Sequence, residues 1–222
     1  MMFAAGFGTR MKHLTRTRPK PLIPVLGKPL IDHTLDLIRE AGIGTVVANL
    51  HYLPDQLERY LAPLGVRTVT EAPDILETGG GLRNALPLLG AGPVFTTNTD
   101  AIWVGPNPFR MLAEAWDPHR MDALLLGVPP SAAVGHEGKG DFLHGTEGRL
   151  TRGPGVIYGG AQIIRTDLLT GIEDRKFSLN LLWDRMADAG RLHGLTYPGR
   201  WCDVGHPGGI AEAEALLKST HV

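Results

Sequence analysis

The order of predicted elements indicates an α/β fold with a Rossmann-like, doubly wound and mostly parallel sheet. Three observations support this prediction. Short apolar runs alternate with segments of helical period from residue 1 to residue 128. The connections between them are short, as in sheets whose parallel strands are joined by helices. Glycine or aspartate follows several of the runs, at the carboxyl ends of strands, where such sheets bind ligands.

The first half of the chain accounts for most of this sheet. Its predicted strands are Met1–Ala4, Thr45–Asn49, Val66–Thr70, Val94–Thr97 and Ala123–Val128. Its predicted helices are Pro29–Ala41, Asp55–Leu64, Leu82–Leu89 and Phe109–Trp116. In the first helix, Leu37 and Ile38 lie on one apolar face, and Gly42 ends the helix. Only four residues precede the first turn, so we expect either missing native residues or a misassigned start.

From Pro129 the composition changes to a stretch rich in glycine, histidine and charge, which ends near residue 155. The elements predicted after Pro129 are a short strand at Asp141–His144, a strand at Val156–Ile164, a helix at Ser178–Ala189, a strand at Leu192–Tyr197 and a helix at Gly208–Leu217. We interpret the chain as a single domain, 1–222. Its first half is about 1–128, and about 129–222 form a smaller lobe and closing helix that cover the sheet edge.

Composition narrows the class of protein. The 222 residues carry a formal net charge of −1, so no global basic field favours a nucleic-acid partner. No apolar run approaches the roughly 20 residues that span a bilayer, so we expect no membrane partner. The start lacks the pattern of a secretory signal. The single cysteine, Cys202, excludes an intramolecular disulfide and agrees with a reducing compartment. We therefore expect a cytoplasmic protein.

A glycine-rich turn follows the first strand. Gly6 and Gly8 lack Cβ atoms, so the backbone can turn sharply and its N–H groups can face a ligand closely. Arg10 follows, and Lys20 lies between Pro19 and Pro21, which hold the chain extended. Fixed amides, a bidentate guanidinium and an ammonium are groups that grip a polyphosphate. The sequence therefore predicts a polyphosphate site at this turn.

The commoner phosphate motifs do not fit this sequence. A dinucleotide fingerprint needs a third glycine, where this chain has Met11, and an acidic residue about twenty positions on, which is also lacking. A P-loop needs a hydroxyl residue directly after its lysine. Neither Lys28 nor Lys139 is followed by one. We therefore exclude both motifs.

The turn is part of a longer string, which reads Ala4-Ala5-Gly6-Phe7-Gly8-Thr9-Arg10-Met11, then Pro19-Lys20-Pro21-Leu22, Val25 and Lys28-Pro29-Leu30-Ile31. This string closely resembles the signature of the sugar-1-phosphate nucleotidyltransferases. These enzymes join an NTP to a sugar 1-phosphate and release pyrophosphate. The resemblance implies that about 1–128 bind the nucleotide and about 129–222 bind the sugar. Many relatives continue into a hexapeptide-repeat β-helix where this sequence stops, so we expect no acetyltransferase activity.

The resemblance also implies Mg²⁺ as cofactor, held by two aspartates. Asp100 follows the strand Val94–Thr97, and Asp203 lies in the segment Trp-Cys-Asp-Val-Gly that ends at Gly205. From sequence alone, Asp100 could instead cap a helix or turn, and Asp203 could be a turn residue. In the family, aspartates at these two places coordinate the metal. Thr99 is a departure, since relatives usually carry glycine there.

The family assigns roles to the basic residues of the turn. The resemblance implies that Arg10 holds the β- and γ-phosphates and that Lys20 holds oxygens at the reacting centre; we predict both as catalytic. The alternative for each is a solvated surface charge. In relatives, the segment Leu76–Gly81 contacts the nucleobase, and its glycines are expected to present free N–H groups. The nucleotide-binding residues that we predict are Ala4, Ala5, Gly6, Gly8, Thr9, Arg10, Glu77, Gly79, Gly80 and Asn98.

Substrate choice rests on finer resemblances. Glu77-Thr78 before the glycines, and the segment Gly138–Phe142, resemble the branch that transfers a uridylyl group to N-acetylmuramic acid 1-phosphate. A guanylyltransferase for mannose or heptose 1-phosphate, and a non-catalytic regulator that binds nucleotide sugars, remain alternatives. The Glu-Lys-Pro whose lysine binds the sugar phosphate in many relatives is absent. For the sugar phosphate we predict Lys139, Asp141 and Gly160, with Arg149 and Arg152 as alternatives to Lys139.

Overall fold

A seven-stranded sheet runs through the centre of the molecule. The computed structural model describes residues 1–219. The strands are β1 (Met2–Phe3), β2 (Pro24–Val25), β3 (Lys28–Pro29), β4 (Val47–Leu50), β5 (Arg67–Thr70), β6 (Val94–Asn98), β7 (Ala101–Val104), β8 (Ala123–Val128), β9 (Ala133–Val134), β10 (Phe142–His144), β11 (Leu150–Arg152), β12 (Ile157–Ile164), β13 (Leu192–Thr196) and β14 (Arg200–Asp203). The α-helices are α1 (Leu30–Glu40), α2 (Pro54–Leu61), α3 (Glu77–Leu89), α4 (Pro108–Ala115), α5 (Asn180–Asp188) and α6 (Pro207–Lys218). Along these residues, none of the helices is both long and apolar enough to cross a bilayer.

The central sheet has the strand order β13-β8-β12-β6-β1-β4-β5. Every pair is parallel except the two that β12 makes with β6 and β8, which are antiparallel. The predicted mostly parallel α/β sheet is therefore confirmed. However, residues 129–222 do more than cover the sheet edge, because β12 lies inside the sheet. Its residues are buried almost throughout, which fits a strand covered on both faces.

Helices cover both faces of this sheet, as the doubly wound prediction requires. Helices α1, α2 and α4 contribute to one apolar cluster, while α3 and α5 contribute to a second. Strand β8 supplies both clusters alternately: Leu124 and Leu126 face the first, and Ala123 and Leu125 face the second. All six of its residues are buried. A continuous apolar run is therefore what this strand needs.

A smaller sheet stands beside the central one and was not predicted. It has the order β7-β14-β9, with Ala101 of β7 paired to Asp203 of β14. Helix α6 packs on it through a third apolar cluster that includes Cys202, Val204 and Ala213. Since β7 follows β6 after only two residues, this sheet holds the end of β14 close to the end of β6.

Candidate active site

A groove opens at the carboxyl ends of β1, β4 and β6, and two adjoining cavities form it. The first, of about 220 Å³ and here called the turn cavity, is lined by Phe3, Ala4, Gly6, Gly8, Thr9, Arg10, Lys20, Pro21, Thr99, Asp100 and Gly205. The second, of about 230 Å³ and here called the α3 cavity, is lined by Phe3, Ala5, Gly6, Asn49, Ile75, Glu77, Thr78, Asn98 and Asp100. Shared lining residues make them one continuous groove at the edge where such sheets bind ligands.

The glycine turn brings Lys20 into this groove. Gly8 has φ +63°, and a Cβ atom there would lie 2.9 Å from Thr15 Cγ2 and 3.0 Å from Lys20 Cβ. Glycine is therefore needed for both the left-handed backbone and the close approach of Lys20. The Thr15 hydroxyl donates to the Gly8 carbonyl at 3.0 Å and fixes the turn. The predicted turn residues all line one of the two cavities.

Lys20 and Asp100, eighty residues apart, meet at the centre of the turn cavity. Lys20 Nζ lies 2.6 Å from Asp100 Oδ2, and both side chains are largely shielded from solvent. A charge-assisted hydrogen bond of this length holds the ammonium in one place. Thr99, the departure noted from sequence, is buried, and its hydroxyl donates to the Phe3 carbonyl at 3.0 Å. It thereby ties the end of β6 to the end of β1.

Asp203, at the end of β14, lies next to Asp100 but lines neither the turn cavity nor the α3 cavity. The Val204 amide donates to the Asp100 carbonyl at 2.9 Å, which holds the two aspartates side by side. Burial raises the pKa of Asp203, and the neighbouring charge of Asp100 raises it further, while Lys20, Arg10 and His136 oppose the shift. Two carboxylates thus converge with incomplete compensation, and a cation would relieve their repulsion.

The donor set around these two aspartates fits a hard divalent cation. Carboxylate oxygens are what Mg²⁺ prefers, and it usually takes only one or two of them, together with waters and phosphate oxygens. In the part of the chain that the structure describes, no three His, Cys, Asp or Glu residues are grouped to hold a metal ion by themselves. Asp100 and Asp203 would therefore need oxygens from a bound ligand to complete a metal shell.

Arg10 lies between the turn cavity and a third cavity. This one, here called the α6 cavity, encloses about 630 Å³ and is lined by Arg10, Gly135, His136, Glu137, Asp203, His206 and Glu212. A Cβ atom at Gly205 would lie 3.0 Å from Asp203 Oδ2 and 3.2 Å from Arg10 Nη1, so the glycine permits this close approach. Sequence reasoning missed His136 and His206, although His206 directly follows the Asp-Val-Gly segment.

The glycines before α3 differ from the prediction. Helix α3 begins at Glu77, so Gly79 and Gly80 lie in its first turn, and their amides both donate to the Phe177 carbonyl at 2.9 and 3.1 Å. The predicted free N–H groups are therefore already bonded. A Cβ atom at Gly79 would come within 2.3 Å of the Phe177 ring, so its small size serves helix packing. Glu77, Thr78 and Asn98 line the α3 cavity, whereas Gly79 and Gly80 do not.

The residues predicted for the sugar phosphate are scattered. Lys139 is exposed and lines none of the three cavities. Asp141 Oδ2 accepts the Tyr158 amide at 2.8 Å, which holds two backbone segments together. Gly160, with φ +90°, abuts the groove, because a Cβ atom there would lie 2.8 Å from Asn98 Nδ2. It sits in an irregularity of the β8–β12 register, the β-bulge that paired glycines favour.

The two arginines considered as alternatives have structural partners. Arg149 pairs with Glu147 at 3.4 Å on the surface. Arg152 pairs with Asp184 at 2.8 Å and stacks over the Phe142 ring at 4.6 Å. Neither lines the groove or the α6 cavity. Both side chains are therefore engaged away from the groove.

Sequence reasoning also missed two buried polar residues, Asn49 in the wall of the α3 cavity and Glu71 behind it. They are 3% and 1% exposed and hydrogen bonded to each other. A signal was available, because Asn49 ends one predicted strand and Glu71 directly follows another. Polar side chains at the carboxyl ends of parallel strands are candidates for a site at that edge.

Comparison with known proteins gives a consistent result. Residues 1–136 match the family described as the MobA-like NTP transferase domain. The N-acetylmuramate alpha-1-phosphate uridylyltransferase of Caulobacter vibrioides is 40% identical over 98% of this chain and 96% of its own length. The mannose-1-phosphate guanyltransferase of Hypocrea jecorina is 28% identical over 99% of this chain and 64% of its own length. The crystal structure of HddC from Yersinia pseudotuberculosis with GMP-PN superposes with a TM-score of 0.77 over 96% of both chains; at 20% identity this likeness shows the fold alone.

Proposed function

The chain belongs to the MobA-like NTP transferase family and is a sugar-1-phosphate nucleotidyltransferase, and from this premise we propose that it joins UTP to N-acetylmuramate 1-phosphate and releases pyrophosphate. The observation that carries the proposal is the convergence of Lys20, Asp100 and Asp203 beside Arg10. The choice of substrates is supported by the Caulobacter relative, which spans nearly the whole chain. A cytoplasmic location is part of the proposal.

In this reaction an oxygen of the sugar phosphate attacks the α-phosphorus of the NTP. The bond from that phosphorus to the bridging oxygen breaks, and pyrophosphate leaves with its electron pair. The protein supplies position and charge rather than a covalent intermediate. Lys20 Nζ, held by Asp100, faces the oxygens of the reacting phosphate. Arg10 presents its guanidinium to the β- and γ-phosphates, where a planar fork can bind two oxygens at once.

Asp100 and Asp203 are the residues that would hold Mg²⁺. Their oxygen donors and their incompletely compensated charge fit a divalent cation. The ion, when bound, neutralises charge on the phosphate oxygens. The hydrogen bond from the Val204 amide to the Asp100 carbonyl holds the ends of β6 and β14 together at this place. Asp100 also keeps Lys20 oriented, through their 2.6 Å contact.

The α3 cavity is the proposed place of the nucleobase. It adjoins the turn cavity, and Glu77, Thr78 and Asn98 line its wall. Gly79 and Gly80 act there by letting α3 pack closely, since their amides are engaged by Phe177. Guanine is the second candidate for the base, because the Hypocrea relative is a guanyltransferase. That relative is less similar, and this chain covers 64% of its length.

The sugar is proposed to lie against Gly160, beside Asn98, in the part formed by about 129–222. Asp141 supports this wall through its bond to the Tyr158 amide. Lys139 is exposed, and it is proposed to reach the sugar phosphate by a movement of its loop toward the groove. Mutation of Lys139 to alanine then raises KM for the sugar phosphate without changing KM for the NTP.

The first experiment is a pyrophosphate-release assay with Mg²⁺. Each of the four NTPs is paired with the 1-phosphates of N-acetylmuramic acid, glucose, mannose and heptose. Turnover with UTP and the muramic acid substrate alone supports the proposal. Turnover with GTP and mannose or heptose phosphate keeps the reaction class and overturns the substrate choice. Absence of release in every pairing, from folded protein, favours a regulator that binds nucleotide sugars.

A pair of lysine variants tests the catalytic role within the same assay. Lys20→Met should lower kcat about a hundredfold, the scale of losing one preorganised charge at a reacting group. Nucleotide affinity should change much less, because the charge acts mainly on the transition state. Lys28→Met is the matched control, since Lys28 pairs with Asp36 on the surface and should leave kcat unchanged. Equal rates for the two variants would remove Lys20 from the reacting centre.

A further inference from the structure

We propose that Asn49 and Glu71 are a pair of positioning residues that hold the two halves of the nucleotide groove at a fixed separation and so set the affinity for NTP. The inference rests on the proposed nucleotide site and concerns one residue of its wall, Asn49, and one behind it, Glu71. Neither side chain is proposed to take part in the chemistry. Their effect passes through the glycine turn on one side and through the segment before α3 on the other.

A continuous chain of hydrogen bonds joins these two segments. The Ala4 amide donates to Asn49 Oδ1 at 2.9 Å, and Asn49 Nδ2 donates to Glu71 Oε1 at 2.7 Å. The Leu76 amide then donates to Glu71 Oε2 at 2.7 Å. Each of the four side-chain atoms therefore has its own partner, and the donors and acceptors alternate without a gap.

This series of hydrogen bonds begins and ends next to the groove. Ala4 lines the turn cavity, and Leu76 directly precedes Glu77 and Thr78, which line the α3 cavity. Asn49 itself forms part of the α3 cavity. A triphosphate with its base in one cavity and its phosphates in the other must match their separation. The Asn49–Glu71 pair is what fixes that separation.

Helix α3 is set against the same pair. A Cβ atom at Gly81 would lie 2.6 Å from Glu71 Oε1 and 2.8 Å from Asn49 Nδ2. Glycine at this position therefore lets the helix rest directly on the two polar side chains. Burying a carboxylate is costly unless its oxygens are bonded. Glu71 is 1% exposed and both of its carboxylate oxygens are hydrogen bonded, which supports a role in holding the surrounding segments in place.

A reciprocal swap tests the pair. Glu71→Gln places an NH₂ group against one of the two donors that Glu71 now accepts from, the Asn49 amide or the Leu76 N–H. Asn49→Asp places a carboxylate oxygen against the Glu71 carboxylate. Each single change leaves buried groups without a partner and should raise KM and Kd for UTP about tenfold. In the double variant the new carboxylate at position 49 accepts from the new amide and from Ala4, while the oxygen of the new amide accepts from Leu76. Affinity should return to within about threefold of wild type, because all the bonds are restored.

Gln162→Glu is the matched control. It also exchanges a buried amide for a carboxylate, since Gln162 is fully buried and bonds Thr96 and Trp183 at 2.9 Å within the central sheet. It should lower Tm and leave Kd for UTP within about twofold, because the groove is not touched. Lower Tm without weaker UTP binding in the Asn49 and Glu71 single variants would overturn the proposal. Failure of the double variant to recover affinity would also overturn it.

A direct binding measurement and a substitute variant complete the test. Kd for Mg-UTP is measured by calorimetry on each variant, so a wild type that turns over no substrate pair would refute the proposed reaction without hiding the effect on binding. If a single variant does not fold, Gly81→Ala replaces it, because the added methyl group displaces the pair while both residues keep their own chemistry. Unchanged UTP affinity in a folded Gly81→Ala protein would then contradict the proposal.

Discussion

Charged residues gather at both edges of the central sheet, but the two edges treat charge differently. At the carboxyl edge, Asp203 has a raised pKa, and Arg10 forms no ion pair with any residue in 1–219. At the amino edge, Asp122 accepts from Arg165 at 3.4 Å and from Arg191 at 2.8 Å. The amino-edge cluster therefore balances its own charge, whereas the groove leaves charge for a ligand to complete.

The pKa shifts at the two edges have opposite signs. At the amino edge, the hydrogen bond from Arg165 holds the pKa of Asp167 below its usual range, and Asp167 raises the pKa of Arg165. The charged forms are favoured there. Beside the groove, burial and Asp100 raise the pKa of Asp203, so its charged form is less favoured than that of a solvated carboxyl group. Sites that bind ligands often carry such uncompensated charge.

The largest effect is expected when the groove loses charge. Asp203→Asn should lower kcat for pyrophosphate release about a hundredfold or more, because one of the two proposed metal ligands becomes neutral. The folded protein should be no less stable at neutral pH, since a carboxylate with a raised pKa is removed. Steady-state assays and thermal unfolding check the two parts. Near-normal turnover would exclude Asp203 as a ligand.

An aspartate-to-asparagine substitution at the amino edge should have the opposite effect, because it should lower stability and leave turnover unchanged. Asp122→Asn leaves Arg165 and Arg191 without their shared carboxylate, whose side chain is 12% exposed. Both arginines are about one third exposed, so solvent screens the loss, and we expect about 1 to 2 kcal/mol of destabilisation. Turnover should stay within about twofold of wild type. Denaturant unfolding measures the destabilisation. A strong fall in kcat would contradict the assignment of a purely structural role to the amino-edge cluster.

In metal-free protein, the pH dependence of the free energy of unfolding should have opposite signs for Asp203 at the carboxyl edge and Asp167 at the amino edge. The raised pKa of Asp203 means that its carboxylate lowers stability as pH rises from the unfolded to the folded pKa. Asp203→Asn should therefore gain stability over wild type across that window and not below it. The lowered pKa of Asp167 contributes stability above its unfolded pKa, which is lost as pH falls through the folded pKa. Asp167→Asn should lose stability near neutral pH, and equal signs for the two variants would contradict the comparison.

Sequence located the residues that line the groove better than the residues that support it. Gly8, Lys20 and Asp100 were singled out from a motif that resembles a known family and, for Asp100, from its place after a strand; the structure brings them together in the turn cavity, and their roles stay predictions. The position of β12 inside the sheet was not predicted, because the antiparallel partners of Ile157–Ile164 depend on where other segments fold. Phe177, whose carbonyl binds the amides of Gly79 and Gly80, lies almost one hundred residues from them. No local pattern records that contact.

The Asn49–Glu71 pair is an intermediate case. Each residue stands at the end of a predicted strand, so its place at the carboxyl edge was readable. Their pairing depends on the β4–β5 register, in which Asn49 lies opposite Val69 and Leu50 opposite Thr70. The sequence therefore indicates these two residues as candidates but does not predict the hydrogen bond between them. Buried polar partners of this kind are where sequence reasoning needs the structure most.

The smallest effect is expected at Cys202, which lies beside Asp203 on β14 but faces the opposite way, into the cluster under α6. Burial, aided by the charges of Glu212 and Asp203, raises the pKa of Cys202 to about 12. Because the thiolate is the reactive form, the native protein should not react with a thiol reagent near neutral pH, and denaturant should expose one thiol per chain. Cys202→Ala should keep kcat within about twofold, as a buried thiol acts as a small apolar group. Rapid labelling of native protein would mean that β14 detaches from α6, and Asp203 could then not hold the fixed position that separates this edge from the other.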